Sequence, residues 1–86
     1  MIQKLKAPIS VLSFYNHKKR TFKPISIIWE RRNHKVEKIG YRHQFKVGNT
    51  LFHVFSVACE GMFFRIKLNS KNLTWELEKI SDGEVD

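Results

Sequence analysis

The densest run of chemically capable side chains is FYNHKKRTFK, residues 14 to 23, where His17, Lys18, Lys19, Arg20 and Lys23 sit between aromatic residues. Ammonium and guanidinium groups at this density grip phosphate oxygens, and aromatic rings beside them suit the stacking of bases. The same run also reads as a solvated loop whose lysines discourage edge-to-edge strand pairing. A second cluster follows from alternation: Phe52, Val54, Phe63, Arg65 and Lys67 share the non-core face of a hairpin, where the rings either stack on a ligand or pack beneath another strand. Phosphate contacts are accordingly expected from Lys18, Lys19, Arg20, Arg31, Arg32 and Arg42, with Arg65 and Lys67 as secondary candidates.

Other chemistries find less support. His17, His34, His43, His53 and Cys59 are the soft or imidazole donors, yet no C-x-x-C or H-x-x-x-H spacing gives them a common geometry. His53 and Cys59 share a strand face but lie about 20 Å apart at strand rise, too far for one ion. No metal or other cofactor is expected. Cys59 falls on the core face just before a turn, the place of a small buried hydrophobe rather than a nucleophile. Glu76 and Glu78 are flanked by Arg65 and lysines that hold them ionised, unlike a general acid and base pair. There is no glycine-rich phosphate loop and no G-x-S-x-G, so no enzymatic activity is expected.

These side chains must be positioned by a small scaffold. Eighty-six residues suit one domain, and a chain of this length buries only about 60–65% of the surface exposed when unfolded. The hydrophobic fraction of 42%, with seven Phe, two Trp and two Tyr, suffices for one packed layer. The formal charge of +8 is uneven: residues 1 to 46 carry twelve Lys and Arg against Glu30 and Glu37, whereas residues 47 to 86 carry four against six acids. Such a field raises encounter rates with polyanions. A single cysteine suits a reducing compartment, so a cytoplasmic location is expected. The start resembles a secretory leader, but Pro8, Ser10 and Ser13 interrupt it and no small-x-small site follows. No run approaches the ~18 apolar residues of a membrane helix, and no membrane association is expected.

Periodicity of two dominates the chain. Leu51, His53, Phe55, Val57 and Cys59 share one face, as do Met62, Phe64, Ile66 and Leu68, and again Leu73, Trp75 and Leu77. A two-residue turn at Glu60-Gly61 sets Cys59 against Met62, Val57 against Phe64 and Phe55 against Ile66. A turn at 69 to 72 would set Leu68 against Leu73 and Ile66 against Trp75. Upstream, Ile25, Ile27 and Trp29 share a face in a strand that starts at Pro24 or lies at an edge. A turn at Arg32-Asn33 would pair Trp29 with Val36. The parity change between Val36 and Ile39 calls for a bulge near Glu37 or Lys38, with Gly40 permitting a bend ahead of Tyr41, His43 and Phe45. PISVLSFY supplies a first strand. About six short antiparallel strands, mostly a meander without a long helix, predict a small all-β barrel or roll over residues 1–81, followed by an acidic tail at 82–86.

Trp29-Glu30 with Arg32, then Val36, Ile39-Gly40, Phe52-His53-Val54-Phe55, Phe64-Arg65-Ile66 and Trp75-Glu76-Leu77 together form a pattern over residues 22 to 82. This pattern resembles a group of small bacterial β domains, some of which occur at the ends of Y-family polymerase-like repair proteins. In that group a glycine often follows the Trp-x pair, where Arg31 stands here, and an aromatic residue often occupies the place of His34. The resemblance implies an accessory domain near DNA metabolism and transfers no catalytic residue. The expectation from composition and resemblance is a non-enzymatic module that binds nucleic acid or another polyanion through its basic first half. The alternative is a protein-interaction domain that uses an exposed edge strand, as a monomer or weak homodimer.

Overall fold

The computed structural model describes residues 2 to 82, so the acidic tail expected at 82–86 lies almost wholly outside the described residues. Seven antiparallel strands and no helix make up the described chain: β1 (Ile2–Asn16), β2 (Thr21–Trp29), β3 (Arg32–Lys35), β4 (Lys38–Val47), β5 (Thr50–Cys59), β6 (Met62–Asn69) and β7 (Thr74–Ser81). The spatial order is β3-β2-β1-β7-β6-β5-β4. This is the expected all-β roll, with the segment 32–35 adding a seventh short strand.

The topology forces the curl. β3 and β4 are the two edges of the sheet, yet only Val36 and Glu37 separate them in sequence. Two residues cannot span an open sheet of seven strands spaced about 4.8 Å apart, so the sheet rolls until its edges meet. The link is hydrogen-bonded to both sides: the Val36 N–H donates to the Ile25 carbonyl at 2.9 Å and the Glu37 N–H to the Ala58 carbonyl at 2.8 Å. Beyond this seam no ladder joins β2 to β4 among the described residues, and the roll stays open as a half-barrel.

Inside the curl lie Ile27, Phe55, Val57, Cys59, Phe64, Ile66, Leu77 and Ile80. Their alternation with outward polar side chains is what binds the chain to strands of this register: a slip by one residue would bury Arg65 or Glu76. The β5–β6 pairing is as expected, Cys59 to Met62 through Phe55 to Ile66. Elsewhere the register differs from expectation for identifiable reasons. Leu73 takes a left-handed conformation (φ 62°) inside a four-residue turn and is 71% exposed, so Leu68 meets Trp75 and Ile66 meets Leu77, with a bulge near Glu78 before Phe64 meets Ile80. Arg65 therefore lies opposite Lys79, and Lys67 opposite Glu76.

The β2–β3 turn is Glu30-Arg31, not Arg32-Asn33, so Trp29 faces Arg32 rather than Val36; His34 reaches the core side beside Trp29 and Phe64, and Val36 packs against the core as well. Both turn residues are left-handed (φ 51° and 62°), the type I′ pattern that ordinarily requires Asn-Gly. Neither residue signals that turn in the sequence. The parity shift of β4 falls at Gly40, between Ile39 opposite Val57 and Tyr41 opposite Ser56. Tyr41, His43 and Phe45 thereby turn to the outer face and Arg42 to the inner one. Pro24 lies within β2, in the stretch 21–25 whose outer edge β3 leaves uncovered, so it marks an edge and not a strand start.

Leu77→Ala should cost about 2–5 kcal/mol in urea unfolding, since the side chain is fully buried and its site cannot collapse without moving Ile66. Arg31→Gly should raise stability by about 0.5–1 kcal/mol by relieving a left-handed side chain; a lower midpoint for that variant would contradict the turn assignment.

Candidate nucleic-acid interface

The meander sends three turns to one end of the half-barrel: residues 17–20 between β1 and β2, 48–49 between β4 and β5, and 70–73 between β6 and β7. The turns 30–31 and 60–61 lie at the opposite end. Local chemistry shapes the first set. The Asn16 carboxamide oxygen accepts the N–H groups of Lys18 and Lys19 (3.0 and 3.2 Å), and Asn69 does the same for Lys71 and Asn72 (2.9 and 3.4 Å). These Asx turns satisfy the backbone and project the lysine side chains outward.

That end collects positive charge. Lys18, Lys19, Arg20, Lys46 and Lys71 stand on its turns or the adjoining strand ends, all exposed, and make no ion pair among the described residues. The acids lie elsewhere: Glu30 and Glu60 on the opposite turns, Glu37 at the seam accepting the Glu60 N–H at 3.0 Å, and Glu76 and Glu78 on β7. Arg42 lies midway along β4 and reaches inward so that its guanidinium carbon sits 5.1 Å above the Phe55 ring. Below it, Phe22 meets His53 and Phe55 edge-on at 5.3 and 5.7 Å, and Phe55 meets Trp75 at 5.8 Å. Arg42, His43, Gln44, His53, Val54 and Phe55 line a depression of about 170 Å³ on β4 and β5. Burial, and then the nearby Arg42 charge, lower the His53 pKa, so His53 is a neutral hydrogen-bonding group there near pH 7.

The remaining sequence candidates separate into two groups. Arg31 and Arg32 sit on the opposite turn, a whole strand length of β2 from Lys18–Arg20, next to Glu30. Arg65 and Lys67 lie on the outer face and are held by carboxylates: Arg65 Nε is 3.2 Å from Glu78 Oε1, and Lys67 Nζ is 3.5 Å from Glu76 Oε1 and 3.3 Å from Glu78 Oε2. Their charge is partly neutralised in place. The structure therefore keeps Lys18, Lys19 and Arg20 on one turn, sets Arg42 midway along β4 over the Phe55 ring that Phe22 also touches, and leaves the other four apart.

Sequence reasoning missed Lys46, Lys71 and the outer row of rings on β4. Tyr41–His43 (5.1 Å), His43–Phe45 (6.1 Å) and Phe45–Phe52 (5.1 Å) form a continuous column, closed by the Lys67 ammonium 5.1 Å from the Phe52 ring. This column and the Lys67 stem cover Val54, which is buried although it faces away from the core. Its sequence signal was present, aromatic or imidazole side chains at every second residue; the Gly40 bulge hid which face they take.

Among the described residues no three His, Cys, Asp or Glu side chains converge, and no helix is long and apolar enough to cross a membrane. Cys59 is fully buried, and desolvation, followed by the charges of Glu37 and Glu60, pushes its thiol up to about 11. The folded state thus retains a proton that the unfolded state releases from the ordinary thiol range upward, so stability should fall as pH rises through that range toward 11. Native protein at pH 8 should react with an aromatic disulfide reagent at least a hundredfold more slowly than the urea-unfolded chain; equal rates would show an accessible thiol. No family model matches the chain, and no curated protein or solved structure is similar to it.

Proposed function

We propose that this domain is a non-enzymatic module that binds nucleic acid through backbone phosphates at its basic end. The carrying observation is the segregation of charge: exposed cations from the turns 17–20 and 70–73 and from the adjoining end of β4 stand at one end, and the acids lie on other parts of the surface. Phosphate contacts come from Lys18, Lys19 and Arg20 on the first hairpin and Arg42 on β4, with Lys46 and Lys71 beside them. Cations on turns suit a polyanion of variable path, because long flexible side chains follow the backbone without demanding a base sequence. Arg31, Arg32, Arg65 and Lys67 contribute through the general field rather than direct contact.

A second reading draws on a different observation. The outer edge of β4 over residues 41–47 and that of β2 over 21–24 carry no ladder partner, so an extended peptide could add to the sheet at either edge. Its affinity would come from main-chain hydrogen bonds and would depend little on ionic strength.

Fluorescence anisotropy with labelled single- and double-stranded DNA and RNA at two salt concentrations tests the first reading. Binding should weaken steeply with salt, and replacing Lys18, Lys19 and Arg20 together by Ser should flatten the single-strand salt slope by about 2 log units per log unit of salt. The paired change Arg31→Ser and Arg32→Ser should leave affinity within about threefold of the parent. Absence of micromolar binding to every nucleic acid at low salt would eliminate the proposal.

A further inference from the structure

The outer face carries a feature that phosphate binding does not use. The bulge at Gly40 places Tyr41 opposite Ser56, which in turn faces Arg65, while one step along Lys38 faces Ala58, which faces Phe63. The middle strand of this patch presents only Ser56 and Ala58, and Gly40 adds no side chain at all. The result is a hollow of about 160 Å³ lined by Lys38, Gly40, Ser56, Val57, Ala58 and Phe63; Tyr41 follows Gly40 in the chain and pairs with Ser56, next to this lining. Tyr41 and Phe63 are 58% and 51% exposed. Tyr41 ends the aromatic column and meets another ring on one side only, at His43. Phe63 has no ring partner among the described residues.

Two large rings left in water on either side of a floor of small residues call for a flat apolar occupant. Strands β4 and β6 stand two sheet spacings apart, and the diagonal from Tyr41 to Phe63 spans one further residue pair, or about 12 Å in all. Ring pairs prefer centroid separations of about 4.5–7 Å, so that diagonal admits one ring between the two. The hollow is well below the roughly 300–1,000 Å³ of drug-sized ligand sites, which excludes a bulky ligand and suits a single planar heterocycle. Charge selects the heterocycle's carrier. β4 and β5 together hold Lys38, Arg42 and Lys46 and no carboxylate; Arg42 and Lys46 take the inner parity of β4, and Lys38 lines the hollow itself, so Lys38 is the cation that meets a phosphate beside an occupant there. Glu37 and Glu60, bonded to one another at the far rim, bound the hollow on the other side.

We propose that the hollow between Tyr41 and Phe63 is a stacking site for one unpaired nucleobase, which makes single-stranded nucleic acid the ligand class of this domain. The inference rests on the phosphate-binding reading of the basic end. A base in a duplex cannot enter, because its faces are already covered by its neighbours in the stack. The site is tolerant of base identity, since every base presents a π face and the floor offers only the Ser56 hydroxyl for hydrogen bonding.

The test uses three labelled probes of equal length: a single strand, the same strand with all bases removed, and a duplex. The parent protein should bind the single strand about tenfold more tightly than the abasic strand. Tyr41→Ala and Phe63→Ala, both at exposed positions that leave the core intact, should abolish that difference without weakening abasic binding, and Tyr41→Phe should restore it. Replacing Lys18, Lys19 and Arg20 by Ser should weaken all three probes alike. Equal parent affinity for base-bearing and abasic strands, or alanine variants that bind as the parent does, overturns the stacking site while the phosphate reading stands. Binding of polyglutamate as tightly as the single strand overturns it in favour of an acidic protein partner. Failure of every nucleic-acid probe at low salt removes both.

Discussion

Everything in this molecule depends on the two-residue link between the edge strands. With Val36 and Glu37 the only residues between β3 and β4, the sheet cannot lie flat, and the hydrogen bonds of the link to Ile25 and Ala58 hold the roll shut at one point. The curl turns a single layer of alternating side chains into an enclosed core, which a chain of 86 residues could not otherwise build without a second layer. It also decides where the roll is open. Because the seam lies at the ends of β3 and β4 nearest Ile25 and Ala58, the mouth opens toward the turns 17–20, 48–49 and 70–73. The mouth and the cations thus share one end for a single topological reason.

Alternation carried most of the fold in the sequence. The Glu60-Gly61 turn names its own geometry, since Gly61 is left-handed there (φ 79°), and the β5–β6 register followed from it residue by residue. The errors lie where ordinary side chains adopt left-handed conformations. Leu73, Glu30 and Arg31 offer no local mark of such a backbone, so turns read from composition were displaced by one or two residues and the pairing moved with them. Parity survived at β6–β7, because the displacement there was even and apolar still met apolar. In β4 the single-residue shift at Gly40 reversed the faces, which explains how Arg42 came to cover Phe55 and the rings came to lie outside.

The interface was less legible than the fold, for a physical reason. Charge clusters along the chain are visible as letters, but their convergence is a property of strand order. Arg31 and Arg32 are as basic as Lys18 and Lys19, yet antiparallel reversal sends them to the opposite end. Alternation already sets Arg65 and lysines near Glu76 and Glu78; the bulge near Glu78 decides the pairs, Arg65 with Glu78 and Lys67 with both carboxylates. Conversely, the small residues Ser56 and Ala58 carry no chemistry of their own and become informative only once flanked by Tyr41 and Phe63.

The uncovered rim of β4 has a meaning for crowding as well as for recognition. A bare strand edge is a template for another copy of itself, and proteins commonly guard such rims with lysine and arginine. Here Lys38, Arg42 and Lys46 take that role, so two molecules approaching rim to rim repel one another. Counterions screen this repulsion. High ionic strength therefore lowers the barrier to self-association at this rim.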